Sequence, residues 1–302
     1  MSASPVVHVG PFAPQVILDA VTGAGARLGP LEEADVAVWM DWHVERFPAL
    51  PERLRWVQFP GAGVEQWTER IHQAPGVTFT SAVGVFARPV AAHALALLMA
   101  GVHRLVPSAR ATEWRPIGWH TLEGRTVAIV GAGAIGRALI ELLLPLRARP
   151  IAVTRRGLDV PGAVRTYAAA DLDEVWPIAD HVVLAAPSTD ATRHLVGDEQ
   201  LRAMRRDAWL VNVGRGPLVD TDALVLCLRR GGIAGAALDV VDPEPLPDGH
   251  PLWREPRALI SPHPGPAPAD NYPHLAERVG ENLRRFVAGE PLIGVIDAGL
   301  GY

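Results

Sequence analysis

Three residue types that can cooperate in one reaction occur in the second half of the chain: Arg215, Glu244 and His263. Each follows a short apolar run that predicts a strand, and open α/β sheets bind ligands beside the carboxyl ends of their strands. The arginine fork can hold a carboxylate and polarise the carbonyl next to it. The histidine can donate a proton to that carbonyl, and the glutamate can hold the imidazole and favour its charged form. This combination predicts hydride transfer to a carbonyl that adjoins a carboxylate.

A glycine-rich turn predicts where a hydride carrier would bind. The apolar run 127–130 leads directly into a GxGxxG pattern at residues 131–136, which is followed by a helical pattern. In such a turn Gly131 permits the sharp change of direction, and Gly133 lets a pyrophosphate approach the backbone. Gly136 lets the helix lie close to the strand, and the amino end of the helix attracts phosphate groups. The pattern predicts a dinucleotide cofactor.

The end of the next strand indicates which dinucleotide is preferred. An NAD site usually places an acidic residue there to bind the ribose 2′-hydroxyl. This chain instead continues from Thr154 into Arg155 and Arg156. Arginine side chains form charge-assisted hydrogen bonds with phosphate. The sequence therefore favours NADP(H), with NAD(H) as the alternative if these arginines point into solvent.

Composition excludes several other classes of protein. The chain has 302 residues, of which 49% are hydrophobic and 20% charged, and its net charge is −5. It is too apolar for a disordered protein and too acidic to predict nucleic acid as its main partner. All 28 basic residues are arginine, which excludes Schiff-base chemistry on lysine. The single cysteine, Cys227, permits neither an internal disulfide nor a cysteine-based metal cage.

Neither a signal peptide nor a membrane span is predicted. The amino terminus lacks the basic start and apolar stretch of a signal peptide. Apolar runs such as residues 94–102 are shorter than the roughly 18 residues that a membrane-spanning helix needs. We expect a soluble, cytoplasmic protein that holds no metal ion and binds neither membrane nor nucleic acid.

Strands and helices alternate along the chain in two series, which predicts parallel sheets covered by helices. In the first series we predict strands at 6–9, 36–39, 55–58 and 77–80, with a helix at 14–21. A long helix at 88–104 and a loop lead to a second series with strands at 127–130, 151–154, 181–185, 208–212, 235–239 and 258–261. Helices are predicted there at 134–146, 198–206 and 221–230, and residues 262–268 resemble a hinge or active-site loop. Six strands with intervening helices predict a doubly wound sheet.

These motifs, in this order, resemble those of the D-2-hydroxyacid dehydrogenase family over nearly the whole chain. Residues 57–64 resemble the substrate loop of the family, and residues 90–98 resemble its long interdomain helix. The glycine loop, residues 213–216, Asp239 and the candidate catalytic residues fall on motif positions. By this resemblance Arg215, Glu244 and His263 form the catalytic set, and Asp239 anchors the nicotinamide carboxamide.

The resemblance implies an α/β protein with two doubly wound parallel-sheet domains. One is a Rossmann dinucleotide-binding domain at residues 99–271, and the other is a smaller flavodoxin-like substrate domain built from residues 1–98 and 272–302. The family also implies a homodimer. The implied substrate-binding residues are Ala62, Gly63, Val64, Arg215 and His263. The cofactor-binding residues predicted with the help of the resemblance are Gly131, Gly133, Ala134, Ile135, Gly136, Pro187, Thr192, Val213, Asp239, His263 and Gly265, which join Arg155 and Arg156 from the strand-end pattern above.

Three functions remain open at this point. The first is an NADP(H)-preferring reductase of small 2-oxo acids, with glyoxylate and hydroxypyruvate as the first candidates. The second is a dinucleotide-sensing binding protein or corepressor on the same fold, which the complete catalytic set opposes. The third is a dehydrogenase for bulkier 2-oxo acids or phosphite, while Glu244 argues against formate. Bulky residues that could crowd the substrate pocket are Trp39, Trp42, Phe59, Pro60 and Trp119.

Overall fold

The structure, a computed structural model, describes residues 4–114, 116–263 and 268–297. The chain divides into two compact units. The first comprises Met1–Phe86 and Pro266–Tyr302, and the second comprises Ala87–Gly265. Among the described residues, no helix is both long enough and apolar enough to cross a membrane.

The first unit is built on a five-stranded sheet. Its strands are β1 (Val6–Gly10), β2 (Arg27–Leu28), β3 (Val36–Trp39), β4 (Trp56–Gln58) and β5 (Thr78–Thr80), and its first helices are α1 (Gln15–Gly23) and α2 (Thr68–His72). The strand order is β2-β1-β3-β4-β5, and the paired strands are parallel. This is the doubly wound order of the flavodoxin type.

The second unit is built on a seven-stranded sheet. Its helices are α3 (Ala87–Val102), α4 (Leu105–Ala109), α5 (Ala134–Leu143), α6 (Asp198–Ala203) and α7 (Thr221–Arg230). Its strands are β6 (Thr126–Val130), β7 (Arg149–Thr154), β8 (Arg165–Ala168), β9 (His181–Leu184), β10 (Trp209–Asn212), β11 (Gly235–Leu238) and β12 (Ala258–Ile260). The order β12-β11-β10-β9-β6-β7-β8 is parallel throughout and is that of a Rossmann sheet with one added strand. Helices cover its faces, so β9, β10 and β11 are buried along their whole length.

A final helix, α8 (Pro268–Ala288), returns the chain to the first unit. Leu275, Val279 and Leu283 of α8 pack in one core with residues of α1. Asn282 is fully buried, and its side chain forms two hydrogen bonds with the backbone of Ile293, at 2.8 and 3.0 Å. Burying an amide is favourable only when its polar atoms are paired. These bonds therefore fix the last segment of the chain against α8.

The predicted fold class is confirmed, with differences at the margins. Strands β2 and β8 and helices α2, α4 and α8 were not predicted. Helix α3 ends at Val102, two residues early, because Arg104 adopts a left-handed conformation with φ of 56°. The predicted domain boundaries at 98/99 and 271/272 fall inside α3 and α8, and they stay a prediction.

Candidate active site

The glycine loop follows β6 at the carboxyl edge of the larger sheet. Gly131 has φ of +94°, and a Cβ atom there would lie 2.4 Å from the backbone nitrogen of Ala186. A Cβ on Gly136 would lie 2.8 Å from the carbonyl oxygen of Gly131, so α5 packs against the turn only because this residue is glycine. Gly133 has no neighbouring atom within 4 Å of its Cβ position, which leaves the backbone open to a ligand.

A cavity of 570 Å³ lies above this loop and joins it to the end of β7. Thr154 lines the cavity, and its buried hydroxyl has no hydrogen-bond partner among the described residues. Arg155 and Arg156 line the same cavity and are exposed. Other lining residues that the sequence predicted are Gly131, Gly133, Ala134 and Pro187. An open backbone turn, an unpaired hydroxyl and two guanidinium groups fit the phosphates and ribose of a dinucleotide.

The other predicted cofactor residues do not line this cavity. Ile135 lies in the first turn of α5 and is half-buried. Thr192 accepts a hydrogen bond from the Thr189 amide at 2.8 Å and so shapes the loop after β9. Val213 has its side chain in the core beneath the sheet. Gly265 lies outside the described residues.

Arg215 follows β10 between two glycines that allow a close approach of the backbone. A Cβ on Gly214 would lie 2.7 Å from the Ala186 carbonyl oxygen, and one on Gly216 would lie 1.8 Å from that of Val241. Fully buried Asn212 accepts a hydrogen bond from the Gly214 amide and donates one to the Arg215 carbonyl, at 3.1 and 2.9 Å. The turn that presents Arg215 is therefore held rigidly at the carboxyl edge.

His263 and Glu244 are brought together by the structure. The Nδ1 atom of His263 lies 2.6 Å from Oε1 of Glu244, and the two side chains are 48% and 41% exposed. Because a carboxylate oxygen accepts, Nδ1 carries the proton of this bond, and Nε2 lies on the other side of the ring. The His263 amide donates to the carbonyl oxygens of Asp239 and Ser261 at 2.9 and 2.8 Å, which holds its backbone in a left-handed conformation. β10, β11 and β12 are neighbours, so Arg215 and this pair share one edge of the sheet.

A polar cluster beside this pair was missed by the sequence analysis. His93, on α3, places its Nε2 atom 3.1 Å from Oδ1 of Asp239 and 2.8 Å from the hydroxyl of Ser261. The Ser261 hydroxyl also donates to Oδ1 of Asp239. Asp239 is only 8% exposed, so these donors offset the cost of burying its carboxylate. The available signal was that His93 is the one polar residue in the apolar run 90–98.

The predicted substrate loop follows β4 in the first unit. Ala62 is exposed, Gly63 is half-buried and Val64 is buried. Within the described residues, no hydrogen-bond acceptor is paired with the amides of these three residues. Successive unpaired amides form a site that suits a carboxylate. The ring of Trp42 lies directly on Gly61, where a Cβ atom would be 1.8 Å from it.

Of the five bulky residues expected to crowd a pocket, three are buried, namely Trp39, Phe59 and Pro60. Phe59 is fully buried and stacks on Trp67 with ring centroids 4.5 Å apart. Trp39 is 6% exposed and packs edge-on against Phe47. Trp42 and Trp119 are about half exposed, at 53% and 54%. Among the described residues, no cluster of His, Cys, Asp and Glu could hold a metal ion.

Comparisons with known proteins agree with this arrangement. A family model described as "D-isomer specific 2-hydroxyacid dehydrogenase, NAD binding domain" matches residues 92–265. A glyoxylate reductase from Korarchaeum cryptofilum is 34% identical over 259 residues, which are 82% of this chain and 76% of the relative.

Two crystal structures superpose over 99% of this chain and 100% of their own. A D-isomer specific 2-hydroxyacid dehydrogenase from Xanthobacter autotrophicus, in complex with NADPH and MES, is 28% identical with a TM-score of 0.84. An NADPH-dependent glyoxylate/hydroxypyruvate reductase from Sinorhizobium meliloti, in complex with NADP and sulfate, is 25% identical with a TM-score of 0.84.

The chain therefore belongs to the D-isomer specific 2-hydroxyacid dehydrogenase family. It is an oxidoreductase that acts on a CH–OH group with a nicotinamide dinucleotide. The enzyme is favoured over the dinucleotide-sensing binding protein that the sequence left open.

We predict that His93 supports cofactor binding by positioning Asp239. Replacing His93 by alanine removes a hydrogen bond to a buried carboxylate, a contact typically worth about 1.5–3 kcal/mol. If Asp239 holds the carboxamide, affinity for the cofactor should fall about tenfold, as measured by fluorescence titration. His93→Gln keeps an N–H donor and should restore most of the affinity. Equal cofactor affinity in His93→Ala and the wild type would refute this role.

Proposed function

We propose that this enzyme is an NADP(H)-preferring reductase of small 2-oxo acids, with glyoxylate and hydroxypyruvate as its first candidate substrates. The observation that carries the proposal is that one cavity joins the glycine loop to Arg155 and Arg156. None of the residues that line this cavity is acidic. Two structural neighbours bound to NADPH or NADP and a glyoxylate reductase relative support it.

The cofactor would be held from three directions. Gly133 and the amino end of α5 would bind the pyrophosphate through backbone amides. Arg155, Arg156 and the unpaired Thr154 hydroxyl would bind the ribose and its 2′-phosphate. Asp239 would accept a hydrogen bond from the carboxamide. When bound, the reduced nicotinamide supplies a hydride to the carbonyl carbon of the substrate.

The residues of this chain would bind and protonate that substrate. Arg215 would hold the carboxylate and polarise the carbonyl, because its guanidinium is planar and always charged. His263 would donate a proton from Nε2 to the carbonyl oxygen, and Glu244 would stabilise the charged imidazole through its bond to Nδ1. In the first unit, the amides of residues 62–64 stay candidates for carboxylate binding by the family resemblance.

The substrate loop favours a small acid over a bulky one. The Trp42 ring lies on Gly61, immediately before the three amides, and would narrow the space beside a carboxylate bound to them. Phe59 and Trp39 impose no such limit because they lie in the core. The bulkier acids and phosphite remain the alternative substrates that an activity screen would reveal.

Replacing His263 by alanine should lower kcat/KM with glyoxylate by about 10²–10⁴, because the proton donor is lost. Cofactor affinity should stay within about threefold of the wild type. The assay is loss of NADPH absorbance with glyoxylate, hydroxypyruvate and phenylpyruvate in parallel, and the exposed His72→Ala is the matched control. Full activity in His263→Ala would overturn the mechanism, and a preference for phenylpyruvate would overturn the substrate class.

The double substitution Arg155→Ala and Arg156→Ala should weaken the binding of NADPH and leave the binding of NADH nearly unchanged. Each lost charge-assisted bond to a 2′-phosphate corresponds to about a tenfold rise in KM for NADPH. Arg149→Ala, at the other end of β7, removes a similar charge and should change neither KM. A wild type that uses both cofactors equally, or a double variant with unchanged preference, would reject the NADP(H) assignment.

We also propose a homodimer. Leu105, Trp114 and Trp119, between α3 and β6, are 53%, 102% and 54% exposed. A contiguous exposed apolar patch marks a protein–protein contact site, and these three side chains lie within one 15-residue segment. Light scattering should give twice the chain mass of 32.4 kDa, and Trp114→Ser with Trp119→Ser should lower it towards the monomer. A wild-type monomer at micromolar concentration would contradict the proposal.

A further inference from the structure

A second cavity lies at the opposite edge of the seven-stranded sheet. It has a volume of 310 Å³ and is lined by His181 and Trp209, the first residues of β9 and β10, and by Arg257, just before β12. The glycine loop, Arg215 and Asp239 all follow the carboxyl ends of strands. The cavity at the amino ends is therefore separate from the cofactor and catalytic groups of this unit. Its size is at the lower end of the range for small-molecule sites.

His181 lines this cavity, and one ring nitrogen of its buried imidazole has no hydrogen-bond partner among the described residues. The residue is only 4% exposed, and its Nδ1 atom accepts a hydrogen bond from the Trp209 amide at 3.2 Å. Burial lowers the pKa of His181 to about 4, so the imidazole is neutral at pH 7 and its single proton lies on Nε2. Within the described residues, buried Nε2 has no partner. An unsatisfied buried donor is costly, and a ligand with an acceptor atom would remove that cost.

The lining of the cavity carries more positive than negative charge, while the charged groups that act most on His181 itself are Asp180, Arg125 and Asp207. Arg104, Arg206 and Arg257 line the cavity, against one acidic residue, Asp207. Asp207 accepts a hydrogen bond from Arg205 at 3.2 Å, which offsets its charge further. Guanidinium groups match the geometry of carboxylate and phosphate oxygens. The cavity therefore favours an anion.

Not all of this charge requires a ligand to explain it. Arg257 donates from Nη1 to the Leu228 carbonyl at 2.8 Å, and so it caps the carboxyl end of α7. Arg104 and Arg206 are exposed residues whose guanidinium groups make no hydrogen bond or ion pair with the described residues. The capping of α7 by Arg257 also does not explain why Nε2 of His181 lacks a hydrogen-bond partner. The unpaired donor and the two arginines are the observations that point to a ligand.

We propose that this cavity binds a small oxyanion, a metabolite that carries a phosphate group or several carboxylates. One of its oxygens accepts a hydrogen bond from Nε2 of His181, and its charge is neutralised by Arg104 and Arg206. The floor of the site is rigid because the Trp209 indole packs closely on the backbones of Gly101 and Gly235, where Cβ atoms would lie 2.4 Å from it. This site is independent of the proposed substrate. Arg104, Gly118 and His120 of its lining belong to the segment proposed for the dimer contact, so the protein is tested in its native oligomeric state.

Calorimetric titration of the enzyme with inorganic phosphate, and separately with citrate, tests the proposal. Saturating NADPH or NADH is present so that the anion-binding groups of the cofactor cavity are already occupied, and ionic strength is kept constant with NaCl. We expect saturable binding of one anion per chain. Arg206→Gln should weaken it about tenfold, since one charge-assisted hydrogen bond is lost. His181→Asn keeps an acceptor for the Trp209 amide, removes the donor at Nε2 and should also weaken binding.

Arg149→Gln is the matched control, because Arg149 lies at the start of β7 on the same edge of the sheet but outside the cavity. Its affinity for the anion should equal that of the wild type. Cofactor stoichiometry and near-UV circular dichroism check that each variant is folded. Binding of phosphate but not citrate would assign a phosphorylated ligand, and the converse would assign a polycarboxylate. Absence of saturable binding, unchanged affinity in Arg206→Gln, or equal weakening by Arg149→Gln would overturn the proposal.

Discussion

The close approach of backbone to backbone at the carboxyl edge of the larger sheet is the constraint on which the candidate active site depends. Ala186, after β9, contacts the Cβ positions of Gly131 on one side and Gly214 on the other, at 2.4 and 2.7 Å. No side chain fits at either place. The turn that would receive the pyrophosphate and the turn that presents Arg215 are therefore fixed against the same residue. A side chain at either glycine would therefore displace both the turn for the pyrophosphate and the turn that presents Arg215.

Asp239 links the other elements of that edge. Its amide donates to the Asn212 carbonyl and its own carbonyl accepts from the His263 amide, both at 2.9 Å. Its carboxylate is bonded to His93 and Ser261. One residue thus connects β10, β11, β12 and α3, through hydrogen bonds to its amide, its carbonyl and Oδ1 of its carboxylate. The position of His263 follows from this network as well as from its bond to Glu244.

Sequence patterns predicted what is local and missed what depends on distant contacts. Apolar runs bounded by turn residues located most strands of both sheets, and the GxGxxG spacing located the glycine turn. The edge strand β8 buries only Tyr167, so its pattern carries little signal. His93 and Asp239 are 146 residues apart, and no local pattern predicts that they meet. Phe59 and Trp39 were expected at the pocket because they are bulky and lie near the loop in sequence. That expectation was wrong because sequence position does not show which way a side chain points.

The two edges of one parallel sheet present opposite electrostatic conditions. At the carboxyl edge α5 begins, and its positive end favours a phosphate without help from side chains. At the amino edge α3 and α7 end near the second cavity, and their negative ends disfavour anions. An anion can bind there only if side chains supply more positive charge than the helix ends oppose. One arginine, Arg257, is enough to cap α7, and the cavity has three. The additional positive charge and the unpaired donor on His181 are what the proposed anion site would explain and a helix end alone would not.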